Sequence, residues 1–234
     1  MIAARTSRAQ DALRSIRELA DPSRLDGMAR FGIDTRTAVG VTVTELRRLA
    51  RGLGRDHALA TELWASRIHE ARILASIVDD PDAVTERQME SWVREFDSWD
   101  LCDQVCLNLF DRTPLAFDKA LEWSAREREF EKRAGFALMA TAAVHRRDVP
   151  DRAFHPFLPR IRAEATDGRN YVKKAVSWAL RQIGKRSTGL HARAIRTAQE
   201  IGSVDSRSAR WIARDALREL ESPAVRQRLA GSAR

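Results

Sequence analysis

The sequence predicts an all-α fold, a stack of short helices, and three observations carry that prediction. Apolar residues recur at helical spacing along almost the whole chain and almost nowhere alternate with period two. The breaks between those stretches are short and carry Asp, Ser, Gly or Pro where helices start and stop. The composition, 44% hydrophobic and 32% charged with only 11 Gly, 7 Pro and 1 Tyr in 234 residues, excludes collagen-like and low-complexity chains and argues against an all-β fold.

Taken in order, Leu13, Ile16, Leu19 and Ala20 form a first stripe, and Leu46, Leu49, Ala50 and Leu53 a second that ends at Gly52 and Gly54. Leu59, Leu63 and Trp64 follow, then Ile68, Leu74 and Ile77 up to the turn at Asp79-Asp80-Pro81. Met89, Trp92, Val93 and Phe96 lead to Asp97-Ser98, which opens the helix of Leu101, Val105, Leu109 and Phe110. Beyond Thr113-Pro114 the run Ala134 to Val144 predicts a helix that stops at Asp148-Val149-Pro150. Phe157, Leu158, Ile161 and Ala165 precede a break at Asp167-Gly168-Arg169-Asn170. Val172, Val176, Leu180 and Ile183, then Ile195 to Ile201, then Trp211 to Leu220 complete the series before Ser222-Pro223. About a dozen helices are expected.

A weak repeat runs through this pattern. Glu70 to Ala75, Lys132 to Ala137, Lys173 to Ala179 and Ala209 to Ala213 each set basic residues beside a small one at the start of an apolar helix, about every 30 to 45 residues. That is the period of helix-pair solenoids such as HEAT repeats, whose stacked second helices line a concave surface. The expectation is one domain over residues 1–234, a curved α-α superhelix with a basic concave cleft. The longest apolar run, Phe136 to Val144, is about half of the roughly 20 residues a membrane span needs. Met1 to Leu19 carries charge throughout and lacks the apolar centre of a secretory signal, so a cytoplasmic location is expected. Cys102 and Cys106, four apart, read as core thiols.

The net charge of +8 is unevenly distributed. From Glu129 onward there are about 22 Lys and Arg against about 11 Asp and Glu, roughly +11, whereas the first 128 residues carry roughly −3. A basic C-terminal half suits a polyanion partner, because cations that neutralise phosphates release condensed counterions. The signatures of metal and nucleotide sites are missing. Gly52-Leu53-Gly54 is followed by no Gly-Lys-Ser/Thr, and His69-Glu70 begins like a zinc helix but has Ile73 where a second His would stand. No metal site and no cofactor are expected.

What remains is a set of Trp, Asp and Arg residues. In Phe96-Asp97-Ser98-Trp99-Asp100-Leu101-Cys102-Asp103, Asp97 or Ser98 is placed to cap a helix and Asp100 to sit in its first turn, where the dipole favours an acid. Asp103 lies one turn below Trp99, so an indole and a carboxylate project side by side. Trp64, Trp92, Trp123 and Trp211 read as packing residues.

Trp99 to Asp103, Lys132 to Phe136 and Val172 to Arg181 resemble the DNA alkylation repair family, the HEAT-like 3-methyladenine DNA glycosylases, from about Phe31-Gly32-Ile33 to about Leu220. The resemblance implies a base excision repair enzyme that removes N3- and N7-alkylated purines from double-stranded DNA, monomeric and away from membranes. It implies Asp103 as catalytic carboxylate, Trp99 and Trp178 as the tryptophans of the cleft, and Arg133 as a backbone-contacting arginine. Lys173, Lys174, Arg181, Arg210 and Arg214 are assigned to phosphate contacts, which position a duplex without reading sequence. Two alternatives stand beside this reading: a non-catalytic relative that binds DNA structures, and a HEAT-type protein-interaction scaffold.

Overall fold

The computed structural model describes residues 7–231, whose regular elements are all helices, with no strand among them. Residues 1–6, part of the stretch read for a secretory leader, lie outside the described residues. Among the described residues no helix is long and apolar enough to cross a membrane. The chain divides into two compact units, one ending at Leu109 and the other beginning at Phe110.

The first unit contains α1 (Arg8–Glu18), α2 (Leu25–Arg30), α3 (Val43–Leu53), α4 (His57–Ala65), α5 (His69–Val78), α6 (Glu86–Arg94) and α7 (Trp99–Asn108). Ser7 and Thr42 open α1 and α3 with reciprocal capping boxes to Gln10 and Glu45, while Asp56 and Thr85 each accept a backbone N–H at the start of α4 and α6. The centre is α5, buried continuously from His69 to Ser76 and packed against α3, α4 and α7. Trp64 and Trp92 stack in parallel at 3.9 Å and fasten α4 to α6. Glu70, fully buried, accepts the backbone N–H groups of Val39, Gly40 and Val41 at 3.0, 2.7 and 3.3 Å. The acid that begins like part of a zinc helix is therefore an internal anchor for a loop. Gly40 in that loop has φ +85°, and a Cβ there would fall 2.1 Å from the Asp21 carbonyl oxygen, so only glycine fits.

The second unit contains α8 (Ala116–Trp123), α9 (Glu129–His145), α10 (Phe157–Ala163), α11 (Asn170–Gly184), α12 (Thr188–Gly202), α13 (Arg207–Leu220) and α14 (Pro223–Gly231). The helix α9 is buried around its whole circumference from Glu131 to Ala143, as a helix apolar on all sides must be. It packs on α8 and α11, and α11 packs in turn on α13. Behind this row α10 and α12 pack on α11 and on each other, and Phe117 of α8 stacks on Phe157 of α10 at 5.4 Å. The unit is thus two layers, α9-α11-α13 and α8-α10-α12. The turn from α8 to α9 is tight enough that a Cβ on Gly135 would lie 2.3 Å from the backbone nitrogen of Ser124.

The expected stripes differ from the observed ones in instructive places. The buried face of α1 is Ala9, Ala12 and Ile16, whereas Leu19 lies just past the helix and is exposed. Gly52 is inside α3, and Gly54, with φ +69°, is the stop. The helices α2, α8 and α14 do not stand out from the apolar pattern: α2 buries nothing, α14 buries only Val225 and Leu229, and α8 packs through Ala116, Ala120, Lys119 and Trp123. Alanine and the stem of a lysine make weak stripes. Trp64, Trp92 and Trp123 are core residues, and Cys102 and Cys106 are fully buried thiols on α7. Trp211 is half-buried instead.

Candidate nucleic-acid interface

In the first unit the candidate residues are carried by α7. Trp99 is its first residue and Asp103 its fifth, so indole and carboxylate share one face, and both are half-buried. The indole N–H of Trp99 donates to the Phe31 carbonyl at 2.9 Å, which sets the ring beside a loop whose own aromatic side chain is 75% exposed. Nothing periodic marks Phe31 in the sequence, and its nearness to Trp99 emerges only from the fold.

The start of α7 is held from outside the helix. Ser98 is the N-cap residue, but its hydroxyl donates to Asp97 and does not cap the helix N–H groups. Asp100 has a partner beyond the helix dipole: it bonds the buried His69 Nε2 of α5 at 2.8 Å. Burial pulls the His69 pKa down, but the hydrogen bond to Asp100 and the charges of Asp100, Glu70 and Asp97 outweigh it and lift the imidazole above its ordinary value. Burial likewise raises the Asp100 carboxyl, and the His69 hydrogen bond and charge overcome it, holding the group below the usual range. From the preceding turn Glu95 accepts from Arg72 at 2.6 Å, while the Arg72 guanidinium lies 5.0 Å from the Trp64 ring centre. Two ionic ties from α5 therefore fix where Trp99 and Asp103 stand.

In the second unit the weak sequence repeat becomes a register. Lys132, Lys173 and Arg210 are each the fourth residue of their helices α9, α11 and α13, as Arg72 is of α5. Each has a partner within the chain: Lys132 bonds Glu164 at 2.8 Å, Lys173 lies 5.4 Å from the Trp211 ring centre, and Arg210 bonds Asp205 at 2.8 Å. Arg133 is only 6% exposed and donates to the Tyr171 carbonyl at 2.6 Å, tying α9 to the first turn of α11. Its observed contact is structural, and little of its guanidinium reaches solvent.

The outward face of α11 carries Lys174, Trp178, Arg181 and Lys185, which follow one another at helical spacing. Trp178 is half-buried and Lys174 exposed, whereas Arg181 and Lys185 both bond Glu219 of α13, and Arg181 Nε also lies 3.4 Å from Asp215. On α13, Arg207, Arg210 and Arg214 form an exposed stripe beside a groove floored by Ala198, Ala213 and Leu217. Sequence reasoning finds Arg210 and Arg214 but misses Arg207, which belongs to the same stripe one turn earlier.

A family model described as DNA alkylation repair enzyme matches residues 12–220. The chain belongs to that family. The match begins in α1, earlier than the Phe31 at which the sequence resemblance starts, and it ends with α13. Among solved structures, this member of the DNA alkylation repair family is similar to one described as a new family of proteins related to the HEAT-like repeat DNA glycosylases with affinity for branched DNA structures. The TM-score is 0.79 at 20% identity, over 95% of this chain and 96% of that one. That likeness gives the fold as a HEAT-like helical repeat. An uncharacterised protein of Listeria innocua serovar 6a, Lin0241, is 22% identical over 193 residues, 81% of this chain and 84% of that protein.

Proposed function

We propose that the protein is a monofunctional DNA glycosylase that releases positively charged N3- and N7-alkylated purines from double-stranded DNA. The observation that carries this reading is the Trp99-Asp103 pair, half-buried on one face of α7 and braced through His69 and Asp100. Alkylation at N3 or N7 makes the purine cationic, so the glycosidic bond breaks with its electron pair passing to the purine nitrogen and no strong acid is needed. The sugar left behind has oxocarbenium character. A carboxylate beside it is the electrostatic complement, and water bonds to C1′ while its proton passes to Asp103 or to solvent. The electron-rich face of Trp99 suits a cationic nucleotide, and the half-buried Trp178 suits the same task. Lys174 and Arg214, exposed on α11 and α13, suit phosphates, as does Arg210 once released from Asp205, with Lys173, Arg181 and Arg133 able to join only by giving up partners they have within the chain. This chemistry calls for no metal and no organic cofactor.

The second reading is binding of branched DNA without excision, the affinity described for the similar solved structure. It is favoured by the basic groups that the second unit carries on both of its layers. The test is incubation of the purified protein with alkylated duplex and chromatography of the released bases. Release of 3-methyladenine and 7-methylguanine, with uracil and hypoxanthine left in place, is expected, since those neutral bases need leaving-group activation that no group near Asp103 in the sequence supplies. Failure to release any cationic purine would replace the glycosylase with the binding reading.

A further inference from the structure

Most acids of the second unit are engaged within it. Glu164 and Asp167 hold Lys132, Asp151 holds Arg186, Asp215 and Glu219 hold Arg181, and Asp205 holds Arg210. The cations left without an acidic partner are therefore informative, because they are available to a polyanion from outside. Some of them, Lys174, Arg207 and Arg214, lie on the α11-α13 layer already described. Others do not. Arg193 and Arg196 are exposed on α12, and among the described residues neither has an acidic partner.

Arg193 and Arg196 line a groove of about 300 Å³ between α10 and α12, together with His155, Arg162, Thr197 and Glu200. The acid among these, Glu200, bonds Arg162 at 2.7 Å, so that pair is neutral and the two arginines of α12 remain uncompensated. Arg193 and Arg196 start from backbone positions about 4.5 Å apart along the helix axis, so both guanidinium groups can reach one anionic backbone. The helix α12 buries Leu190, Ala194, Thr197, Ala198 and Ile201, and Arg193 and Arg196 stand on its flank toward α10. This groove and the one bordered by Arg207, Arg210 and Arg214 share no lining residue and lie on different flanks of α12.

We propose that the α10-α12 groove is a second phosphodiester-backbone site, which takes an additional duplex arm of branched DNA through Arg193 and Arg196. The inference rests on reading the second unit as a DNA-binding unit, and it requires no excision. The experiment compares the full-length protein with Arg193→Glu/Arg196→Glu, and with the milder Arg193→Gln/Arg196→Gln, on a linear duplex and an immobile four-way junction, by fluorescence anisotropy. The wild type should prefer the junction. The charge-reversed variant should lose about tenfold or more in junction affinity while its affinity for linear duplex changes by less than about threefold, and the Gln variant should fall between. Circular dichroism and the melting temperature should be unchanged, because both side chains are exposed. A retained junction preference in the Glu variant, or equal losses on both DNAs, overturns the second site while leaving DNA binding intact. A wild type that binds neither DNA overturns the DNA-binding reading and this inference with it.

Discussion

The two units differ in how much charge they leave facing water. In the first, the decisive groups are acids with partners on neighbouring elements: the buried Glu70 under three backbone N–H groups, the half-buried Asp100 on His69, and the buried Asp79 on His57 at 2.7 Å. The second has buried ties of its own, Asp111 with His145 and Lys132 with Glu164, but it also carries a large basic surplus, and cations such as Lys174, Arg193, Arg196, Arg207 and Arg214 face water. Buried, paired charges fix geometry because separating them leaves an uncompensated charge, whereas exposed unpaired cations do little for stability and much for attraction. Under the proposed function, the first unit positions the reactive carboxylate and the second holds the polyanion.

That contrast can be broken most forcefully at Glu70. Glu70→Ala leaves three buried backbone donors without an acceptor, and unfolding in urea should show a loss of about 3 kcal/mol or more. A loss near zero would mean that the 39–41 loop is held by something else. Arg193→Gln on the second unit, by contrast, should leave stability almost unchanged.

A smaller effect concerns the brace on α7. The His69 pKa is raised, so its contribution to stability is complete below its unfolded value near 6.5 and is lost as pH rises through the higher folded value. The Asp100 pKa is lowered, so its contribution is complete above about 3.8 and is lost as pH falls through the lower folded value. The stability difference between wild type and His69→Gln/Asp100→Asn should therefore be greatest between about pH 4 and 6.5 and shrink on both sides. A difference that does not vary with pH would remove the ionic character of the pair.

The smallest effect sharpens the second half of the comparison. Arg210→Ala/Arg214→Ala should reduce the slope of log affinity for undamaged duplex against log salt by about 0.9 for each phosphate that is no longer neutralised, with stability unchanged. An unaltered slope would take α13 out of the interface.

Much of this is legible in the sequence, for identifiable reasons. The helices with leucine, isoleucine or aromatic stripes declare themselves, whereas the caps at Thr42, Asp56 and Thr85 do not stand out, although their chemistry is local. The Trp99-Asp103 pair is visible because it depends only on a spacing of four. Hidden are α2, α8 and α14, which bury little or pack through alanine, and every relation that joins distant segments. Asp100 reads as a first-turn acid because His69 is 31 positions away, and Glu70 reads as half of a zinc motif because its loop lies 30 positions upstream. The family resemblance puts Arg133 at a phosphate, and its bond to the Tyr171 carbonyl depends on packing that no spacing reveals.

The most direct test of a reactive carboxylate held by the first unit is the single-turnover rate of 3-methyladenine release by Asp103→Asn, measured beside its affinity for undamaged duplex. An electrostatic contribution of about 3 kcal/mol predicts a rate on the order of 100-fold below wild type with binding nearly intact. Release at the wild-type rate would show that Asp103 is not the catalytic group.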